Sequence, residues 1–321
     1  MILCRPMKQN DFVNSHFDTK LETFGACEIC GSDDWTIVYY GPVRDGEFGS
    51  LTESSTIARC GNCTADRLSE DDCKDEAFYV GADYRKSLGQ EADAAAFLQK
   101  HEFMQLERLE VLDPSLLRNK KIADIGCAAG SYLNYAKGFA REIIAIEPGT
   151  AYHASLQDRG FKTYGFTSDA LEEHKGTVDW AINFETIEHI DNPRTFLTEI
   201  ADLLRPEGRI AISTPNRDDA MLELAGESYR QFFYRVHHRW YFDKNSLTEC
   251  ARLCGLELES YRFIQRYSIS NAMVWIRDGR PGGNMNIPCV DHPILDAAWR
   301  RHFESNETSD WLYAIFKRAG S

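Results

Sequence analysis

Four of the ten cysteines fall in two C-x-x-C pairs, Cys27-Glu28-Ile29-Cys30 and Cys60-Gly61-Asn62-Cys63. Each pair can form a turn that aims two thiolates at one metal, and two such turns complete a tetrahedral zinc site. Gly31 and Gly61 lie beside the cysteines, as such turns favour. Four thiolates leave no open coordination position, so the expected Zn2+ is structural. A redox role would need only one pair, beside a βαβ unit, and neither pair is so placed. The other cysteines, Cys4, Cys73, Cys127, Cys250, Cys254 and Cys289, are expected to be small buried apolar residues.

A second group is Asp124-Ile125-Gly126-Cys127-Ala128-Ala129-Gly130, with Glu147 beyond it. Gly126 lets the chain turn sharply and Gly130 lets backbone approach a ligand closely. Glu147, at the end of the next strand, can take both hydroxyls of a ribose. A dinucleotide site wants G-x-G-x-x-G. Here the spacing is G-x-A-x-G, and Asp124 before the first glycine would repel a pyrophosphate. The pattern suits a cofactor with a cationic amino-acid tail and no phosphate, which describes S-adenosylmethionine. Cys127 and Phe184 are counted with the cofactor's surroundings.

Candidate bases are histidines. His189 follows the strand Val178–Phe184 in FETIEHI, and His237 and His238 follow the next strand in HHRWYF. Glu185 and Glu188 are the carboxylate alternatives. Arg230 and Arg235 could hold a phosphate, although a solvated helix face is the plainer expectation. Tyr229, Phe232, Phe233 and Tyr234 are expected in a core or lid. Tyr79, Tyr84 and Arg85 lie either over the cofactor cleft or between packed domains.

These residues need elements to position them. Residues 1–24 read as a loose arm. Residues 25–90, rich in Gly, Asp, Ser and Cys, read as the zinc module, with a strand over Trp35–Tyr40. Residues 91–118 read as a helical linker, with Phe97, Leu98, Phe103, Leu106, Leu109 and Leu112 at roughly helical spacing. From 119 to 321 strands alternate with helices: strands over Ile122–Ile125, Ile143–Ile146, Val178–Phe184 and Arg209–Ser213, and a helix over Phe196–Leu204 ended by Arg205-Pro206-Glu207-Gly208. This alternation implies right-handed βαβ units and a mostly parallel sheet.

DIGCAAG, IEP, NFETIEHIDNP and LLRPEGRIAISTPN together resemble the successive motifs of class I S-adenosylmethionine-dependent methyltransferases, over about residues 120–265. The resemblance implies an α/β, Rossmann-like sheet of seven strands, the last antiparallel, for which Asp310 to Lys317 is a candidate. It implies that Asp124, Gly126 and Gly130 hold the methionyl part and that Glu147 holds the ribose. Ala128 stands where many members have glycine, and an added methyl is expected to be tolerated. The family also implies adenine contacts after the third strand, for which Ser168, Asp169 and Phe166 are candidates. With the zinc module in front, the architecture resembles bacterial sugar methyltransferases. That implies a saccharide or nucleotide-sugar acceptor, O-methylated, with substrate-binding insertions near 217–245 and 267–305. Another small-molecule acceptor, such as a quinone-like natural product, is the first alternative. A non-enzymatic zinc interaction module on a degenerate fold is the second, which the intact Asp124, Gly126, Gly130 and Glu147 oppose.

Composition narrows the classes. The chain has 321 residues, 43% hydrophobic and 27% charged, within the range of ordinary globular proteins. With 50 acidic and 36 basic residues, its net charge is −14, which disfavours a nucleic-acid partner. No apolar run is long enough for a membrane span. The N-terminal residues lack a signal peptide's apolar stretch, so a cytoplasmic address is expected. Oligomeric state has no signature in the sequence.

Overall fold

The computed structural model describes residues 21, 23–74, 76–81, 93–283 and 285–320. Cys4, Tyr84, Arg85 and most of the 1–24 arm lie outside the described residues. Among the described residues no helix is long and apolar enough to cross a membrane.

The N-terminal part builds a small antiparallel sheet from β1 (Trp35–Gly41), β2 (Ser55–Cys60) and β3 (Asp66–Leu68). The larger sheet opens with β4 (Lys121–Ile125), β5 (Glu142–Ile146), β6 (Lys162–Tyr164), β7 (Val178–Phe184) and β8 (Leu204–Pro215). After these come β9 (Trp240–Tyr241), β10 (Leu256–Ile264) and β11 (Trp311–Arg318). Seven strands pair in the order β10-β11-β8-β7-β4-β5-β6. β4 to β8 run parallel, and β11 lies antiparallel between β8 and β10. Every residue of β4 and β7 is buried, as parallel strands covered on both faces require. Apolar side chains on the two faces of the sheet form separate cores.

The small sheet is not self-contained. β9 pairs with β3 as its fourth strand, Arg67 opposite Trp240 and Asp66 opposite Tyr241. The segment around 240, expected as a substrate-binding insertion, thus completes the sheet of the cysteine-bearing N-terminal module.

Three element expectations are corrected. The single helix over 91–112 is two, Ala94–His101 and Gln105–Val111, joined by a 3₁₀ turn at Glu102–Met104. The turn rotates the expected apolar stripe: Phe103 is 73% and Leu106 70% exposed, while Phe97 and Leu112 stay buried. The helix after β7 spans Pro193–Leu203, starting earlier than Phe196 because Asn192 caps it, its side chain accepting from Thr195 N at 2.9 Å. Arg205-Pro206-Glu207-Gly208 does not form a separate turn but belongs to β8. Leu204 pairs with Val178 and pairing resumes at Arg209 opposite Trp180, so the four residues form a bulge within the strand, with Arg205 Nε meeting Asp179 Oδ1 at 2.9 Å.

Candidate functional site

The two C-x-x-C turns are near copies of one another. Gly31 N donates to Cys27 O at 2.7 Å and Thr64 N to Cys60 O at 3.1 Å. Cys27 N donates to Ser32 O at 2.7 Å and Cys60 N to Ala65 O at 3.0 Å. The left-handed residue is Gly31 (φ +78°) in the first turn and Thr64 (φ +63°) in the second. Gly61 therefore does not serve its turn as expected. A Cβ there would meet Asp34 Oδ2 at 2.1 Å, so glycine is needed for close packing instead.

Cys27 Sγ lies 3.6 Å from Cys63 Sγ, and Cys30 Sγ 3.5 Å from Cys60 Sγ. All four sulfurs fall within 4.8 Å of one another. A tetrahedron with Zn–S bonds near 2.3 Å has S···S edges of about 3.8 Å, whereas a disulfide is about 2.05 Å. The donor set fits a zinc ion.

The metal turns are tied to the larger domain by buried charges. Glu28, inside the first C-x-x-C, accepts from Arg67 and, at 3.1 Å, from Arg239 beside the histidine pair. Arg239 also bonds Glu70. Arg217, just past β8, donates to Thr64 O in the second turn and to Asp243 Oδ2. Of the remaining cysteines, Cys127 and Cys250 are buried as expected, but Cys289 is exposed, a correction. It sits in a turn ahead of the helix Pro293–Ser305, and Cys73 and Cys254 are only half-buried.

The glycine loop turns at Gly126 (φ +77°), Ala128 (φ +49°) and Gly130 (φ +73°). A Cβ on Gly126 would lie 2.2 Å from Thr186 Oγ1, and one on Gly130 would lie 2.9 Å from Leu156 Cδ2. Gly130 is thus also required by the packing of the loop against Leu156. Ala128 is left-handed, so its methyl carries a conformational cost of about 1–2 kcal/mol beyond simple bulk. The carboxylate of Glu147 offsets part of that cost: its Oε2 accepts from Ala128 N at 2.7 Å and its Oε1 from Gly149 N at 2.9 Å. Each oxygen retains a lone pair for a further donor.

Asp124 is buried on β4, and burial pushes its carboxyl up to about 7 against the pull of Arg108. Cys127 is buried in the loop, its thiol raised by burial. Phe184 packs edge-on to Tyr132 and Tyr313, with Arg108 over its ring at 5.4 Å. Phe166 is 37% exposed beyond β6. Asp169 is engaged locally, its Oδ2 accepting from Phe166 N at 2.9 Å to cap the helix Thr167–His174. Ser168 lies in the first turn of that helix.

The three candidate bases converge. His189 lies in a 3₁₀ turn after β7, and its ring meets His238 edge-on at 4.8 Å. Its Nδ1 donates to His237 O, because a carbonyl can only accept, which leaves Nε2 as the basic nitrogen. Tyr79 donates to the same carbonyl at 3.0 Å, and Trp240 Nε1 donates to Ile190 O at 3.0 Å, fixing the turn. Glu188 joins His189 and His238, with ligand atoms within 4.8 Å of one another. Burial pushes Glu188 up to about 8, and its Oε2 has no hydrogen-bond partner.

The expectation of imidazoles matched to neutral pH fails for two of the three. Burial, aided by Arg235, pulls His237 down to about 4, and burial takes His238 well below the ordinary histidine range. Both are neutral and weakly basic.

A half-buried ion-pair network lies beside Asp124 and was not anticipated. Glu185, left-handed at φ +56° after β7, meets Arg266 at 2.8 Å and Arg108 at 3.2 Å. Burial alone would raise Glu185, but Arg266 and Arg108 hold it at about 2. Arg266 is also paired with Glu107 and stacks over Trp311 at 3.6 Å. Arg108 and Glu107 come from the helix Gln105–Val111, where nothing in the sequence distinguished them from solvent-facing charges.

A cavity of about 110 Å³ is lined by Tyr229, Phe232, Gln265, Tyr267, Asn271 and Trp275, among others. A larger groove of about 380 Å³ runs between Glu28 and the helix Pro193–Leu203. Neither lining includes a residue of the glycine loop or a histidine.

A family model described as a methyltransferase domain matches residues 96–261, more than half of the chain. The ubiquinone biosynthesis O-methyltransferase of Ruegeria pomeroyi is 28% identical over 148 residues, 43% of this chain and 60% of that protein. A Mycolicibacterium smegmatis protein named "Probable S-adenosylmethionine-dependent methyltransferase" is 25% identical over 183 residues, 56% of this chain and 67% of its own length. Among solved structures, the Burkholderia thailandensis 1,6-didemethyltoxoflavin-N1-methyltransferase with bound S-adenosylhomocysteine aligns at a TM-score of 0.47 and 14% identity. That alignment covers 86% of this chain and 100% of that one. The chain spans about 60% of the length of the first of these relatives.

Proposed function

The chain belongs to the methyltransferase-domain family and is a class I S-adenosylmethionine-dependent methyltransferase, and we propose that it methylates a hydroxyl of a saccharide or nucleotide-sugar acceptor. The observation that carries this is that Asp124, the glycine loop and Glu147 stand at the carboxyl ends of β4 and β5, and the His189 cluster follows the carboxyl end of the adjacent β7.

S-adenosylmethionine supplies an electrophilic methyl on a sulfonium. In the proposed arrangement Asp124 takes the methionyl ammonium, and Glu147, steadied by Ala128 N and Gly149 N, takes the ribose hydroxyls. Arg108, beside Asp124, is placed for the methionyl carboxylate. Phe166 and Asp169 border the adenine. His189 Nε2 takes the acceptor's proton, while His237 and His238 position it. Zn2+ on Cys27, Cys30, Cys60 and Cys63 holds the module at 25–90 against the domain at 119–321, with 91–118 between them. The names of the quinone-pathway relatives support a second acceptor class, a phenolic quinone-like precursor.

The state of Asp124 gives a pH dependence. A carboxyl near 7 loses its proton when a cation binds beside it, so affinity rises with pH up to about 7 and levels off above it. S-adenosylhomocysteine should bind roughly tenfold tighter at pH 8 than at pH 6. Calorimetry should find that slope in the wild type and lose it in Asp124→Asn; a flat wild-type profile would remove Asp124 from the ammonium site.

The acceptor is tested with methyl-13C-labelled donor. Labelled O-methyl carbons on nucleotide sugars are expected. Labelling only of phenolic precursors would favour the second class, and a C-methyl product would rule out hydroxyl transfer.

A further inference from the structure

Arg44 and Arg235 are paired across the junction between the N-terminal sheet and the catalytic domain. Arg44 N donates to Tyr234 O at 3.0 Å, and Val236 N donates to Arg44 O at 3.0 Å, so the two arginines face each other across a parallel bridge. Residues so paired put their side chains on the same face, about 5 Å apart at Cβ. Two guanidiniums in that position repel each other. Nor are they neutralised: the Nε of each is buried without a hydrogen-bond partner, and among the described residues neither arginine has an ion-pair partner. Arg44 carries the strain of burial and of Arg235's charge, which draw it down to about 9. Desolvated cations without counter-charges are costly and persist where an anion comes to meet them.

Among the described residues, the nearby carboxyls do not supply the counter-charge. Asp45 is 3.8 Å from Lys74. Glu188, raised to about 8 by burial, is largely protonated at neutral pH. Both guanidiniums lie over Phe232, at 4.4 and 5.9 Å, and Phe232 lines the 110 Å³ cavity. On the other side, His238 N donates to Arg235 O at 3.0 Å, which sets the pair beside the base cluster.

We propose that Arg44 and Arg235 together form a receiving site for an oxyanion carried by the methyl acceptor, a phosphoryl or a carboxylate group, held beside Phe232 and next to the histidines. Paired guanidiniums match either group through two-pronged hydrogen bonds. The site rests on the methyl-transfer reading of the cleft. It also gives the zinc module a direct part in acceptor binding, since Arg44 belongs to that module.

Full-length, zinc-loaded protein saturated with S-adenosylhomocysteine is titrated with inorganic pyrophosphate and, separately, with benzoate at fixed ionic strength. Wild type should bind at least one of them, pyrophosphate if the acceptor is a nucleotide sugar and benzoate if it is an acid. Arg44→Gln and Arg235→Gln should each weaken that binding about tenfold or more, with affinity for S-adenosylhomocysteine unchanged. Binding of neither anion to wild type, or equal binding in both variants, overturns the site. Failure of S-adenosylhomocysteine itself to bind would instead overturn the cofactor reading. If a variant does not fold, phenylglyoxal modification of wild type, mapped by mass spectrometry, decides the matter. The bound anion should protect Arg44 and Arg235, and equal modification with and without it counts against the proposal.

Discussion

His189→Ala should lower turnover by about 10²–10⁴ while S-adenosylhomocysteine binds as before. A sugar hydroxyl is a weak nucleophile, so the reaction gains from a base within reach. His189 has its tautomer set by a bond from Nδ1 to the backbone carbonyl of His237, leaving Nε2 to accept the proton. His237, at about 4, and His238, lower still, are poor proton acceptors. Their loss should raise KM more than it lowers kcat. Single-turnover rates with labelled donor separate the two effects. A His189→Ala enzyme as fast as wild type would exclude this base. Glu188, raised to about 8 and lacking a partner at Oε2, would then be the group to replace, by Glu188→Gln.

Stripping the metal should abolish activity as well as unfold the N-terminal module. Structural zinc sites contribute about 10–16 kcal/mol of apparent binding free energy, more than such a module can gain from its own packing. The damage should extend past the cysteines. β3 carries β9 as its sheet neighbour, and Glu28 and Thr64 anchor Arg239 and Arg217. Loss of the ion therefore releases the segment that presents His237 and His238. Elemental analysis of protein purified without chelator should find one zinc per chain. Chelation should lower the melting temperature and activity together, and zinc should restore both. A metal-free protein with full activity would contradict the four-cysteine site.

The central sheet was legible because buried parallel strands are continuous apolar runs. Val178–Phe184 was predicted end for end, and the last strand within a residue at either end. The acids at the strand ends and the paired cysteines were legible because their spacing is local. What escaped depends on contacts between distant segments. Glu107 and Arg108 look like ordinary helix charges until Arg266 and Glu185 are brought against them. β9 has only two residues, too few to show a period, and owes its strand to β3. The bridge of Arg44 to Arg235 joins residues far apart in the chain. The kink at Glu102–Met104 interrupts a stripe whose spacing alone reads as one helix.

The most direct test of the whole arrangement is titration of S-adenosylhomocysteine into wild type and Glu147→Ala. Glu147 is buried between the glycine loop and Gly149, and its two oxygens are the proposed ribose contact. Losing a charge-assisted contact of this kind should weaken binding by about 1.5–3 kcal/mol, roughly ten- to a hundredfold or more. Affinity in Glu147→Ala equal to that of wild type would contradict a cofactor seated on the carboxyl ends of β4 and β5.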